Sequence, residues 1–97
     1  MKTDLTFEQA LKVCKRGGRI AREGWNGKGM FVSYSPGFPK LKSDRIWGNS
    51  LAKWVENNGD EIEVLPYLTL KTADGKLLLG WLASQSDMLS NDWCILD

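Results

Sequence analysis

The sequence predicts an α+β fold: an antiparallel sheet of four to five strands with two helices packed on one face. Three observations predict it. An amphipathic segment with a helix-start signature covers residues 6–14. Alternating apolar runs follow, punctuated by the turn dipeptides Asn26-Gly27 and Asp74-Gly75. The chain has 97 residues, enough for one domain and not two, so 1–97 is expected to be a single domain.

The first element is the most strongly specified. Thr6-Phe7-Glu8-Gln9 fits a capping box, with Leu5 placed for a hydrophobic staple against Ala10. Phe7, Ala10, Leu11 and Cys14 then follow the spacing of one helical face, and Gly17-Gly18 ends the helix behind Lys15 and Arg16. Arg19 to Trp25 reads as a strand that turns at Asn26-Gly27 and returns over Gly29 to Ser35. Pro36-Gly37-Phe38-Pro39 opens a loop through about Arg45. Leu51, Trp54 and Val55 share a face of a second helix, capped by Asn49 or Ser50 and ended by Asn58-Gly59, with Trp54 expected in the core. Glu61 to Thr72 reads as one strand, with Pro66 marking an edge or a bulge. Asp74-Gly75 turns it into Leu77 to Leu82, Ser84 to Leu89 forms a short turn or helix, and Trp93 to Leu96 a last strand.

Composition narrows the function. Net charge is +1, so the chain as a whole has no general attraction for nucleic acid or an anionic membrane. The charge is unevenly spread: +4 over residues 1–28, +3 over 29–55 and −6 over 56–97. Such segments complement one another within a fold or between subunits, or form an ordinary solvated surface. No run approaches the roughly 18 apolar residues that span a bilayer, and the N-terminus lacks a signal-peptide core, so a cytoplasmic protein with reduced thiols is expected. With two cysteines and no histidine, neither a disulfide framework nor a Cys/His metal site is expected. Cys14 and Cys94 read as small core residues.

The same inventory offers little catalysis. Without histidine there is no Ser-His or Cys-His pair and no imidazole base. Asp87 and Asp92 are the one candidate carboxylate pair, and two acids in a turn-rich stretch more often cap or solvate it. Glu23-Gly24-Trp25-Asn26-Gly27-Lys28-Gly29 has neither Walker nor dinucleotide-fold spacing.

Binding is better provided for. Gly24-Trp25-Asn26-Gly27-Lys28 and Gly80-Trp81-Leu82-Ala83-Ser84-Gln85-Ser86-Asp87 each put an indole at a strand end ahead of small polar groups. A nucleobase stacks on such a face for about 1–3 kcal/mol. Asn26, Gln85 and Asp87 are suited to base edges and ribose hydroxyls; Gly27, Ser84, Ser86, Lys28 and Arg22 to phosphates. Core packing at strand ends is an equal reading for Trp25 and Trp81. Trp54 and Trp93 read as core, Trp47 is uninterpretable, and Lys28 and Arg22 are by default solvated charges.

The segments AREGWNGKGMF (21–31), VLPYLTLKTADGK (64–76) and GWLASQSDMLSNDW (80–93) resemble the phage Thoeris anti-defence 2 family over almost the whole chain. The resemblance implies a small phage or prophage protein that binds the cyclic ADP-ribose-type messenger of bacterial Thoeris TIR proteins, glycocyclic ADP-ribose foremost. It holds that messenger without cleaving it, so the effector never fires; some members also bind cyclic dinucleotides. The resemblance further implies a homotetramer with ligand pockets at subunit boundaries, no cofactor and no catalytic residue. On matching positions the pocket would use Trp25 and Trp81, Asn26 beside the first, and Ser84, Gln85 and Asp87 beside the second, with Phe7 as a further wall. The stretch FPKLKSDRIWGNS (38–50) has no counterpart in the family pattern, and its cations are candidates for phosphate contacts. Two alternatives stand beside this reading: an enzyme cleaving a nucleotide messenger through Asp87 or Asp92, and a protein-binding module using the same tryptophans.

Overall fold

A computed structural model describes residues 2–25 and 27–96. Thr6 starts the first helix, α1 (Phe7–Cys14), as its capping box requires: its hydroxyl accepts from the Gln9 amide, and the Gln9 side chain accepts from the Thr6 amide. At the far end the Gly17 and Gly18 amides reach back to the Cys14 and Val13 carbonyls, the paired bonds of a Schellman motif. The apolar face of α1 puts Ala10 and Cys14 into the core.

The chain's contacts divide it into two units, residues 1–35 with 67–97, and residues 36–66. The first unit holds an antiparallel six-stranded sheet, ordered β1 (Lys2–Leu5), β8 (Trp93–Ile95), β2 (Ile20–Arg22), β3 (Phe31–Ser35), β6 (Tyr67–Lys71) and β7 (Leu77–Leu79). Its register places one row of side chains straight across five strands: Ile95, Ile20, Val32, Leu70 and Leu78. The middle of that row, together with Ala10, Cys14 and Trp93, is the buried core. A short helix, α3 (Gln85–Leu89), packs beside α1. In the second unit, β4 (Phe38–Lys42) pairs with β5 (Glu61–Val64), and α2 (Asn49–Asn57), whose Val55 is buried, packs against β5 and a 3-10 turn over Ser43–Arg45.

The antiparallel α+β class is as the sequence predicts, and the differences are specific. The main sheet has six strands, because Lys2–Leu5 adds an edge strand too polar to show strand periodicity. The predicted single strand over 61–72 is two strands in two different sheets, divided at Leu65-Pro66 because proline has no N–H for a ladder. Residues 38–42, expected as loop, pair with the first of these. The second predicted helix therefore belongs to the second unit, and α3 is the helix that joins α1. The predicted second helix, α2, is capped at Gly48 with no side-chain bond from Asn49 or Ser50. Only Val55 of its predicted apolar face is buried; Trp54 is 55% exposed, not core, and Leu51 is exposed with it. The tight hairpin predicted at Asn26-Gly27 is instead a longer connection from Arg22 to Phe31, and Asn26 itself lies outside the described residues.

Candidate functional site

Arg22 ends β2 on the face that carries Ile20 and pairs across the ladder with Trp93. That position aims its guanidinium at the N-terminal turn of α3 and the segment before β8. Its Nη1 donates to Asp87 Oδ1 at 2.8 Å and its Nε to Asp92 Oδ1 at 2.9 Å. Asp92 also accepts from the Gly24 amide at 2.8 Å. A Cβ on Gly24 would sit 2.6 Å from that carboxylate, so the approach requires glycine there.

Asp87 is the organising residue. Ser84 caps α3, accepting from the Asp87 amide at 3.0 Å, while Asp87 Oδ2 accepts from the Ser84 amide at 3.0 Å. The same side chain accepts the indole N–H of Trp25 at 3.2 Å, and the Asp87 carbonyl accepts that of Trp93 at 2.7 Å. One residue thus orients two tryptophans, one through its side chain and one through its main chain. Burial would raise the Asp87 carboxyl, but the Arg22, Ser84 and Trp25 donors outweigh it and bring it down to about 2. Asp92 is also lowered, chiefly by its bond to Arg22.

Trp81 reaches this place by a bulge. The amides of both Gly80 and Trp81 donate to the Leu68 carbonyl, so two residues of the outer strand oppose one of β6. Gly80 is at φ +76°, the left-handed conformation of the first residue in a G1 bulge. The extra residue shifts the side-chain alternation by one and turns Trp81 toward the core, where it is half-buried.

The result is an aromatic cluster around a fully buried Trp93. Phe7 lies 5.0 Å from it, Trp25 5.4 Å and Trp81 6.5 Å, centroid to centroid. Trp25 and Trp81 meet edge to face at 6.1 Å and 79°. Of the residues expected to form a site, the fold brings Phe7, Trp25, Trp81, Ser84 and Asp87 together, whereas Gln85 is exposed at the start of α3. Trp25 lies in the connection between β2 and β3 and packs into this cluster. Arg22, by default a solvated charge, is instead the bridge between two carboxylates. Trp93 is core as expected, and Trp47 is 80% exposed.

The sequence reading missed that bridge, and it read Asp87 as a cap without assigning the N-cap itself to Ser84. The spacing Ser84-x-x-Asp87 is itself a capping-box signature and could have disclosed that N-cap. A separate shallow groove of about 230 Å³ runs beside α1 past Gln9, Lys12, Arg16 and Lys2, and none of the expected site residues lines it. Its volume falls below that of ordinary small-molecule sites.

Residues 5–96 match the family described as the Thoeris anti-defense 2-like domain. The chain belongs to that family. A phage relative, Thoeris anti-defense 2 of Bacillus phage SP01, is 32% identical over 106 aligned positions that cover 99% of each chain. All the cluster residues lie within the matched span, so the bulge, the cap and the Arg22 bridge belong to the family domain and not to an appendage. Among the described residues no helix is long and apolar enough to cross a membrane.

Proposed function

We propose that this protein holds a nucleotide immune messenger without altering it, and so blocks Thoeris anti-phage defence. The expected messenger is of the cyclic ADP-ribose type, glycocyclic ADP-ribose foremost, with cyclic dinucleotides as further ligands. The observation that carries this reading is the end-to-end match to a phage protein named Thoeris anti-defense 2. It implies a phage- or prophage-encoded protein acting in the cytoplasm of the infected cell, with 1–97 functioning as one domain.

The geometry adds support of its own. Trp25 and Trp81 are half-buried, held by packing on Trp93 and, for Trp25, by a hydrogen bond. Fixed indoles lose little conformational freedom when a base stacks on them. Because their planes are 79° apart, a base stacked on one meets the other edge-on. Asn26 beside the first, and Ser84, Gln85 and Asp87 beside the second, are the proposed polar contacts, with Phe7 a further wall. Gln85 is the freest of the described polar groups, since Ser84 and Asp87 already bond each other. Cleavage is less well supported. A carboxylate held near 2 by an arginine and two N–H donors is a poor proton acceptor at neutral pH.

Competing with an effector's own site calls for a nanomolar dissociation constant, about −12 kcal/mol. A dinucleotide-sized ligand reaches that when nearly enclosed, which favours a homotetramer whose pockets are completed between subunits.

The test is retention followed by release. Incubated with glycocyclic ADP-ribose, the protein should retain it on a filter and return it chemically unchanged after heating, as read by liquid chromatography and mass spectrometry. A changed product would establish hydrolysis, and no retention of this ligand or of cyclic dinucleotides would refute the proposal. Trp81→Ala should weaken binding at least tenfold, about 1.4 kcal/mol, with the circular dichroism spectrum preserved.

A further inference from the structure

The two edges of the six-stranded sheet are built differently. At one edge β1 is polar, irregular in register and broken by Asp4 at φ +57°, features that discourage pairing with another strand. At the other edge β7 is three consecutive leucines, Leu77, Leu78 and Leu79, which are 67%, 50% and 43% exposed. Nothing in the strand carries charge, proline or a bulge; the bulge comes only after it, at Gly80.

The ladder shows which backbone groups face outward. Thr72 N–H donates to Lys76 C=O and Gly80 N–H to Leu68 C=O, so the pairs 72/76 and 68/80 are hydrogen-bonded positions. By alternation Leu70 and Leu78 form the hydrogen-bonded pair between them. Leu77 and Leu79 therefore direct their N–H and C=O groups at the open edge. Leu78 is the last member of the row Ile95, Ile20, Val32, Leu70, a core row that ends half-exposed.

We propose that β7 is a self-pairing edge: a second copy of this chain adds its own β7 antiparallel, about a two-fold axis at Leu78. In that register Leu77 faces the partner's Leu79 and exchanges two hydrogen bonds with it, and the symmetric pair adds two more. Leu78 meets its own copy, and the core row continues through the axis into the second subunit. Lys76 falls opposite Gly80, so no like charges meet, and Lys76 already has Asp74 as its ion partner at 3.2 Å. A second copy fits better than an unrelated strand because this register matches every outward donor with an acceptor and every leucine with a leucine. The pairing rests on the strand's own geometry and is independent of the proposed ligand.

Two variants of the full chain test it. Leu79→Pro removes an outward N–H without touching the bonds of β7 to β6. The native chain should sediment as a dimer or a multiple of one, and Leu79→Pro should at least halve that mass at micromolar concentration. Leu78→Cys places thiols across the axis at a non-hydrogen-bonded pair, whose Cα atoms stand about 4.5 Å apart, within disulfide reach. Mild oxidation should convert most of it to a covalent dimer on a non-reducing gel. Native Cys14 and Cys94 are buried, so the unsubstituted chain should stay uncrosslinked. A monomeric native chain, or a Leu78→Cys variant that remains uncrosslinked, overturns the proposal even if Leu79→Pro fails to fold. A Leu79→Pro chain that is folded and keeps its full mass overturns it equally. Filter retention of glycocyclic ADP-ribose by native chain tests the ligand reading separately.

Discussion

Asp87 bears on three neighbours at once, so its protonation should be felt by all of them. Its folded pKa is lowered from 3.8 to about 2, which means its contribution is complete above the unfolded value and is lost as pH falls through the folded one. Stability should therefore drop between about pH 4 and pH 2. After allowance for solvent screening of a partly open ion pair, this one group accounts for on the order of 1–2 kcal/mol. Urea unfolding followed by tryptophan fluorescence will show it, and Asp87→Asn should be less stable at pH 7 by a similar amount and flatter across that window. An Asp87→Asn chain with the native pH profile would mean that other carboxylates govern acid unfolding. This residue's two roles differed in legibility. The cap is local and can be read from Ser84-x-x-Asp87, but Arg22 lies 65 residues from Asp87 and 70 from Asp92, and no pattern within a single element announces such a pairing.

Among the elements, the turn from β7 into Trp81 depends on one backbone conformation. A side chain at Gly80, φ +76°, is strained whatever space surrounds it, so Gly80→Val should cost about 1–2 kcal/mol and let the bulge revert to regular pairing. Reversion would carry Trp81 to the other face of the sheet. Its expected signature is a red-shifted tryptophan emission together with weakened ligand retention, whereas stability loss with unchanged emission would separate the bulge from the orientation of Trp81. At this scale the sequence was most informative where a signal was local and redundant. Thr6-x-x-Gln9 with an amphipathic face defined α1, and Asp74-Gly75 between apolar runs defined the β6–β7 turn. It misled where a run of strand-forming residues crossed a boundary: Glu61 to Thr72 looks continuous, yet Leu65-Pro66 passes it from one sheet to another. The helical spacing of Leu51, Trp54 and Val55 was real as well, but only Val55 found a surface to cover it within its unit.

Across the whole molecule, stability is unevenly distributed. Among the described residues the buried apolar side chains of the first unit include Ala10, Cys14, Ile20, Val32, Leu70 and Trp93, while those of residues 36–66 reduce to Val55. Local opening follows the number of buried contacts that must break, so residues 36–66 should open more readily than the six-stranded sheet. Amides of β4 and β5 should exchange with deuterium at least tenfold faster than those of β2, β3 and β8. Val55→Ala removes two buried carbons and leaves a cavity, about 2 kcal/mol, most of the packing this unit has of its own. It should accelerate exchange throughout 36–66 and leave the sheet's protection unchanged. Equal acceleration in both units would mean that they open as a single cooperative body. Unequal acceleration would separate residues 36–66 from the cluster around Trp93. A variant whose 36–66 segment opens freely should then still retain ligand on the tryptophans if the site lies where the indoles are fixed. Loss of retention in Val55→Ala would instead mean that the proposed ligand binding depends on residues 36–66 as well.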